Sequence, residues 1–278
     1  IMTKKYSYFF ILLCITKLFS ESNNKLITIG GSITEIAFSL GLENNIIAVD
    51  ISSTLPPKVK KLPQIGYIRH ISAEGILSME PHKIITTSEM GPPNVIEQIQ
   101  NTGIELIIYD SPSNYNDVLK LIKKMSNSFN IVEKGDEIIL KLSKEYKFIQ
   151  DKISLLKNKK KFVFFMDSRN TGVFNVAGGN TRANYLIELI GGENIFKNEF
   201  NKYKKVSSEN ILSLNPEIIL IGSMTNESIL KKQLLNDKNL KLVDAIKTNK
   251  IFIIDIGYYL TFGTNITKAA IDLLKIVK

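Results

Sequence analysis

Residues 72–88 read SAEGILSMEPHKIITTS, and residues 207–223 read SSENILSLNPEIILIGS. Eight of these 17 aligned positions are identical, and the two copies lie 135 residues apart. This offset is about half of the 278-residue chain, whereas solenoid repeats recur every 20–50 residues or so. The repeat therefore predicts two similar lobes. Two lobes form a cleft, and ligand sites commonly lie at such domain interfaces.

Short apolar runs alternate with stretches of helical periodicity in both halves of the chain. The runs that we interpret as strands are residues 25–29, 46–49, 83–87, 105–109, 161–166, 217–221 and 251–254. Strands that alternate with helices form parallel sheets. The pattern therefore predicts an α/β fold of two similar βα lobes, each with a parallel sheet.

A long amphipathic segment separates the two halves. Between residues 134 and 157, apolar residues recur every three or four positions and charged residues fill the remainder. This period predicts a single helix of about six turns, which would be a stiff connection between lobes. We assign the N-terminal lobe to residues 21–133, the connecting helix to 134–160 and the C-terminal lobe to 161–278, with the ligand cleft between the lobes.

The N-terminus has the features of an export signal. Lys4 and Lys5 precede a short apolar run at residues 8–15, which predicts a signal peptide at residues 1–20. Cys14 lies in this segment, so a lipoprotein or a retained N-terminal anchor is the alternative. In each case we expect an exported protein, with the periplasm as its location.

The charge and the residue types argue against nucleic-acid binding and against catalysis. The formal net charge is +9, but no dense basic run is interleaved with aromatic residues, as a nucleic-acid surface requires. The chain has two histidines, His70 and His82, and contains neither G-x-S-x-G nor H-E-x-x-H. We therefore expect a binding protein without enzymatic activity. We also expect it to be a monomer.

The segment Gly66-Tyr67-Ile68-Arg69-His70 is the strongest candidate for a ligand site. It lies in a loop at a strand end, and such loops line the ligand crevice in open α/β sheets. A phenolate oxygen is a hard anionic donor that suits ferric iron, and a nearby guanidinium favours the phenolate over the phenol. The alternative is that Tyr67 is only a packed aromatic residue.

Glu74 and Glu209 are equivalent positions of the repeat, and each falls near the start of a short predicted helix. A carboxylate at this place stabilises the helix through its dipole, which is one explanation for both residues. The matched placement also fits a pair of acidic contacts, one per lobe, with a two-fold symmetric partner.

Several segments resemble the haem-binding periplasmic proteins of bacterial haem ABC importers. The segments are Ile29–Glu35 (IGGSITE), Leu62–Arg69 (LPQIGYIR), Ser72–Leu77 (SAEGIL), Gly91–Pro93 (GPP) and Val176–Gly179 (VAGG). The resemblance covers residues 26–278. The wider class, which has a rigid helix between its lobes, also includes cobalamin and ferric-siderophore binders, and these are the alternative ligands.

The resemblance implies a role for each matching residue. Ferric haem b would be the transported ligand, with Tyr67 as the axial iron ligand and Arg69 as the neighbour that stabilises its phenolate. His70 is the alternative iron ligand. The loop that contains Gly91 and Pro92 would line the ligand cleft.

Glu74 and Glu209 would engage arginines of the two subunits of an ABC permease dimer in the inner membrane. The resemblance thus implies an exported protein that hands haem to an importer. An enzyme on the same two-lobed scaffold is the alternative from another functional class.

Two departures from the family pattern concern the rest of the haem site. Members commonly have G-P-R before the last helix, where this chain has Gly263-Thr264-Asn265. Some members also place a histidine before the VAGG block, where this chain has none. Arg169 would then bind a haem propionate, Tyr258 and Tyr259 would stack on the porphyrin, and the haem iron would be five-coordinate.

Overall fold

The computed structural model of the protein describes residues 25–166, 174–224 and 229–276. The chain divides into two compact units. The first unit comprises residues 25–53 and 57–110, and the second comprises residues 54–56 and the described residues from 111 onward. Each unit has its own sheet.

The first unit is built on a four-stranded parallel sheet with the strand order β2-β1-β5-β6. Its elements are β1 (Leu26–Ile29), α1 (Gly31–Ser39), β2 (Ile46–Val49), β3 (Gly66–Tyr67), β4 (His70–Ile71), α2 (Ala73–Leu77), β5 (Lys83–Thr87), α3 (Pro93–Gln100) and β6 (Glu105–Tyr109), with 3-10 turns at Glu43–Asn45 and Pro57–Lys61. All four residues of the inner strand β1 are buried. A parallel strand covered on both faces requires such a continuous apolar run, so the four predicted strands of this half are confirmed.

The second unit contains the remaining elements and a larger, mixed sheet. They are α4 (Tyr115–Ser128), α5 (Val132–Ile153), β7 (Lys161–Met166), β8 (Phe174–Ala177), α6 (Arg182–Leu189), β9 (Glu193–Asn194), β10 (Tyr203–Val206), α7 (Ser208–Leu214), β11 (Ile218–Ser223), α8 (Ile229–Asn236), a 3-10 turn at Leu240–Leu242, α9 (Asp244–Lys247), β12 (Ile251–Asp255), α10 (Ile256–Tyr259) and α11 (Ile266–Ile276). Strands β7, β11 and β12 are parallel, as predicted. Strands β8 and β10 add an antiparallel edge that the alternation of strands and helices did not predict.

Helix α5 is the long amphipathic helix that the sequence predicts, although it ends at Ile153 and not at residue 157. Its buried residues Leu142 and Ile149 lie on the predicted apolar stripe. Helix α4 packs along α5, and both helices belong to the second unit. The division between the units therefore falls at residue 111, whereas the sequence pattern predicts that the first lobe ends at residue 133.

No helix in the described ranges is both long and apolar enough to cross a membrane.

A glycine permits the close approach of α4 and α5. A Cβ atom on Gly135 would lie 2.5 Å from the Cβ atom of Ser126, which is closer than two such atoms can pack. Any larger residue at position 135 would therefore force the two helices apart.

A buried carboxylate joins the loops that follow β1 and β2. Asp50 has no exposed surface, and its Oδ1 atom accepts hydrogen bonds from the backbone N–H of Gly30 at 2.8 Å and the hydroxyl of Ser53 at 2.7 Å. The Oδ2 atom accepts from the backbone N–H of Ser52 at 3.0 Å and from its hydroxyl. These donors satisfy both oxygens of a group that is otherwise costly to bury.

Replacement of Asp50 by alanine should destabilise the protein. The Asp50→Ala variant leaves the Gly30 N–H buried without an acceptor, so we expect the free energy of unfolding to fall by about 2–4 kcal/mol. Urea unfolding followed by circular dichroism measures this loss. The control is Asp151→Ala on the exposed face of α5, which should change the free energy by less than about 0.5 kcal/mol. Equal stabilities of the two variants would contradict this account of the buried network.

Candidate functional site

The candidate ligand site lies on the hairpin formed by β3 and β4. Gly66 pairs with Ile71, and Tyr67 pairs with His70. Ile68 and Ile71 are each 4% exposed and belong to the core of the first unit. Tyr67 is 39% exposed, and His70 is also exposed. The apolar side chains thus anchor the hairpin and leave the polar rings at the surface.

The loop between β5 and α3 fixes this hairpin through its backbone. The N–H of Gly91 donates to the carbonyl oxygen of Ile68 at 3.0 Å, and the N–H of Ile71 donates to the carbonyl oxygen of Gly91 at 3.2 Å. A Cβ atom on Gly91 would lie 3.5 Å from the carbonyl oxygen of Arg69. The structure therefore brings five predicted site residues together: Tyr67, Arg69, His70, Gly91 and Pro92.

Tyr67 and His70 present their rings next to each other. The ring centroids are 6.2 Å apart, and the ring planes are inclined by 38°. Within the described part of the chain, the Tyr67 hydroxyl forms no hydrogen bond. The phenol is therefore available as an oxygen donor to a ligand.

Arg69 pairs with a carboxylate that the sequence analysis did not single out. Its Nη2 atom lies 3.3 Å from Oε2 of Glu89, and the two side chains are 58% and 30% exposed. Glu89 lies in the loop that follows β5, and loops at the carboxyl ends of parallel strands line ligand sites. The position of Glu89 just after a strand was the sequence feature that could have identified it as a site residue. The sequence predicts a role for Arg69 beside Tyr67 only, so the contact with Glu89 is a feature that the structure adds.

Tyr258 and Tyr259 belong to the second unit, where both side chains already have partners. The Tyr258 hydroxyl donates to Oδ2 of Asp272 at 2.6 Å, and burial, followed by this hydrogen bond, raises the pKa of Tyr258. Tyr259 is 9% exposed, and burial raises its pKa as well. The two rings pack edge to face with centroids 4.9 Å apart, so Tyr259 has little free ring surface for stacking on a ligand.

Arg169, the predicted propionate partner, lies in residues 167–173, outside the described residues. The segment in which the family pattern would place a histidine also lies outside the described residues.

Glu74 and Glu209 occupy equivalent places in the structure. Each is the second residue of a short helix, α2 or α7, and both are exposed. The serine before each helix, Ser72 or Ser207, accepts a hydrogen bond from the N–H of the third helical residue, at 3.4 Å and 3.3 Å respectively. The sequence repeat is therefore also a repeat of local structure.

The two acids differ in how they are held. The Nδ2 atom of Asn239 donates to Oε1 of Glu209 at 2.8 Å and to the hydroxyl oxygen of Ser208 at 2.9 Å. Hydrogen bonds from its own backbone N–H, from the Ser207 side chain and from Asn239 lower the pKa of Glu209. The Glu74 side chain has no partner within the described ranges. Glu209 is thus held in place by Asn239, whereas Glu74 has no such restraint among the described residues.

The role of Asn239 can be measured at the Glu209 carboxyl group. In the Asn239→Ala variant, one donor to the carboxylate is lost, so we expect the pKa of Glu209 to rise toward its ordinary value. Titration of the side-chain carboxyl carbon by NMR follows this change. Asn236→Ala at the exposed end of α8 is the matched control and should leave the pKa unchanged. A Glu209 titration that is identical in both variants would exclude the contact with Asn239 as a cause.

The sequence and the fold were compared with known proteins. Residues 26–256 match the family described as periplasmic binding protein. The chain is 27% identical over 198 residues to the vitamin B12-binding protein of Photorhabdus laumondii, covering 71% of this chain and 70% of that protein. It is 23% identical over 234 residues to the uncharacterized ABC transporter substrate-binding lipoprotein YvrC of Bacillus subtilis, covering 83% of this chain and 72% of that protein.

Among solved structures, the periplasmic heme-binding protein RhuT from Roseiflexus sp. RS-1, in its apo form, superimposes with a TM-score of 0.86. It is 29% identical in sequence, and the alignment covers 92% of this chain and 98% of RhuT. The resemblance seen in the sequence is thereby confirmed at the level of family and fold. Family members bind substrates and are not enzymes, so the expectation of a non-enzyme is also confirmed. With most of its length matched, the chain belongs to the periplasmic binding protein family.

Proposed function

We propose that this protein binds ferric haem at the β3–β4 hairpin and delivers it to the permease of an ABC importer. The observation that carries the proposal is Tyr67, an exposed phenol on a hairpin whose backbone is fixed, with a hydroxyl that forms no hydrogen bond to the described residues. Phenolate oxygen is a suitable donor for ferric iron, and tyrosinate is an established type of haem ligand.

The surroundings of Tyr67 support a haem site. His70 lies opposite Tyr67 on the paired strand and is the alternative iron ligand. The structural neighbour RhuT is a periplasmic heme-binding protein, which favours haem among the ligands of the family. We expect ferric haem b as the cargo, with Arg169 as the propionate partner.

The docking part of the proposal rests on Glu74 and Glu209. Both are exposed acids at the starts of equivalent helices, and such a pair fits arginines on the two subunits of a permease dimer. Guanidinium groups bind carboxylates through paired charge-assisted hydrogen bonds. The carrier would act as an exported monomer with one acid for each permease subunit.

Cobalamin is the second candidate ligand. The relative from Photorhabdus laumondii is a vitamin B12-binding protein that aligns over 71% of this chain. A cobalamin carrier would not require a phenolate ligand at position 67. The effect of replacing Tyr67 on ligand binding therefore distinguishes haem from cobalamin as the ligand.

Titration of the purified protein with hemin tests the haem proposal. We expect a Soret shift and a tyrosinate-to-iron charge-transfer band, both of which Tyr67→Phe should lose, with hemin binding weakened by about tenfold or more. Tyr146→Phe also removes one phenol hydroxyl, from a ring stacked on Tyr115 in the second unit, and should retain the spectrum of the unmodified protein.

The other outcomes of this experiment have definite meanings. Absence of any spectral change with hemin overturns the haem proposal, and a thermal shift with cyanocobalamin alone assigns the site to cobalamin. If Tyr67→Phe retains the full spectrum and His70→Ala loses it, His70 is the iron ligand and the role proposed for Tyr67 is wrong.

A further inference from the structure

The end of helix α5 exposes large apolar side chains. Phe148 is 46% exposed, Leu155 is 77% exposed and Leu156 is 50% exposed. Phe148 and Leu155 are seven residues apart, so they lie on one side of the helix and of the turn that continues it. The N–H of Leu156 donates to the carbonyl oxygen of Ile153 at 3.0 Å, which holds this turn against the helix end. Phe148, Leu155 and Leu156 therefore form an apolar strip at the surface.

Positive charge surrounds the apolar strip. Residues 144–160, which we call the α5 tip, contain two acids and six lysines: Lys144, Lys147, Lys152, Lys157, Lys159 and Lys160. One of the two acids, Glu145, accepts a hydrogen bond from the hydroxyl of Thr267 in α11. The Nζ atom of Lys152 lies 5.4 Å from the centroid of the Phe148 ring. Cationic and apolar groups thus share one surface.

The lysines of the α5 tip are not balanced by neighbouring acids. At the start of the same helix, the Nζ atom of Lys134 lies 2.9 Å from Oε2 of Glu137. In the α5 tip, by contrast, four lysines form no ion pair with the described residues, namely Lys144, Lys147, Lys157 and Lys159. The surface therefore carries positive charge that is available to a partner.

The stability of the fold does not explain this arrangement. A cation near the end of a helix is favoured by the helix dipole, which accounts for Lys152 but not for Leu155. Single apolar side chains are common on protein surfaces, whereas here three of them form one strip among lysines. A basic helix that exposes large apolar side chains has the chemistry of a peripheral contact with an anionic bilayer.

We propose that the α5 tip is a contact site for an anionic lipid surface. Phe148 and Leu155 would enter the boundary between headgroups and acyl chains, and the lysines would bind the phosphates of the headgroups. The lysines are interleaved mainly with aliphatic residues and lack the aromatic platforms on which nucleic acids stack. An acidic protein or a nucleic acid would use the lysines but not Leu155, so a lipid surface fits the whole patch best.

This inference goes beyond the proposed function, because it does not depend on the ligand bound near Tyr67. A permease lies in a lipid bilayer, so a weak contact with that surface would raise the concentration of the carrier where it delivers its cargo. The contact requires no membrane-spanning segment.

Flotation of the full chain with lipid vesicles tests the proposal. We compare vesicles of phosphatidylcholine alone with vesicles of equal parts phosphatidylcholine and phosphatidylglycerol. At low salt, we expect binding to the anionic vesicles to be tighter by about tenfold or more, and this preference should shrink at high salt because ions screen the lysines.

Leu155→Ser examines the apolar part of the contact. Because Leu155 is mostly exposed, the variant should fold normally and bind the anionic vesicles about fivefold more weakly. Leu242→Ser is the matched control, since Leu242 is 55% exposed in the 3-10 turn of the same unit, and it should bind like the unmodified protein.

The double variant Lys157→Ser/Lys159→Ser examines the charges. We expect it to weaken binding to the anionic vesicles by about tenfold or more, whereas Lys232→Ser on the exposed side of α8 should leave binding unchanged. All variants share residues 1–20, so a contribution of that segment to binding cancels in these comparisons.

Equal binding to neutral and anionic vesicles overturns the inference, as does a lysine double variant that binds like the unmodified protein. If the lysine variant loses binding but Leu155→Ser retains it fully, the α5 tip is a general site for polyanions and the proposed lipid contact is wrong. None of these results bears on hemin binding, which the Soret titration measures separately.

Discussion

The candidate site depends on the backbone pairing between Gly91 and the β3–β4 hairpin. A hairpin with two residues in each strand is too short to be stable by itself. It persists here because Ile68 and Ile71 are buried in the core of the first unit and because Gly91 binds the backbone at both positions. The same pairing places Glu89 beside Arg69. One loop therefore fixes both the shape and the charge of the surface that carries Tyr67.

The inner strands were predictable from the sequence, and the edge of the second sheet was not. Strand β11 reads IILIGS and is buried throughout, so its apolar run identifies it. Strand β10 reads YKKV, and its lysines are exposed at the edge of the sheet. Charged residues on edge strands prevent aggregation but leave no apolar pattern. Likewise, the packing of α4 on α5, which sets the division between the units, depends on tertiary contacts.

Sequence motifs identified the residues of the hairpin but not the partners of their side chains. Tyr67, Arg69 and Gly91 come together because the motifs that contain them form adjacent loops. The ion pair between Arg69 and Glu89 depends on how two loops approach each other, which spacing does not encode. The low exposure of Tyr259 is also a tertiary property, so its aromatic character alone suggested a stacking role that its surroundings do not favour.

The unequal support of Glu74 and Glu209 would give the two acids different entropies of association with a symmetric partner. Asn239 already restricts the rotamers of Glu209, so a contact there loses little further conformational freedom, whereas Glu74 must lose its freedom when it is bound. If a symmetric partner offers the same arginine twice, its two contacts with this protein have different free energies. The contact at Glu209 would then be the more favourable of the two, because less conformational entropy is lost there than at Glu74.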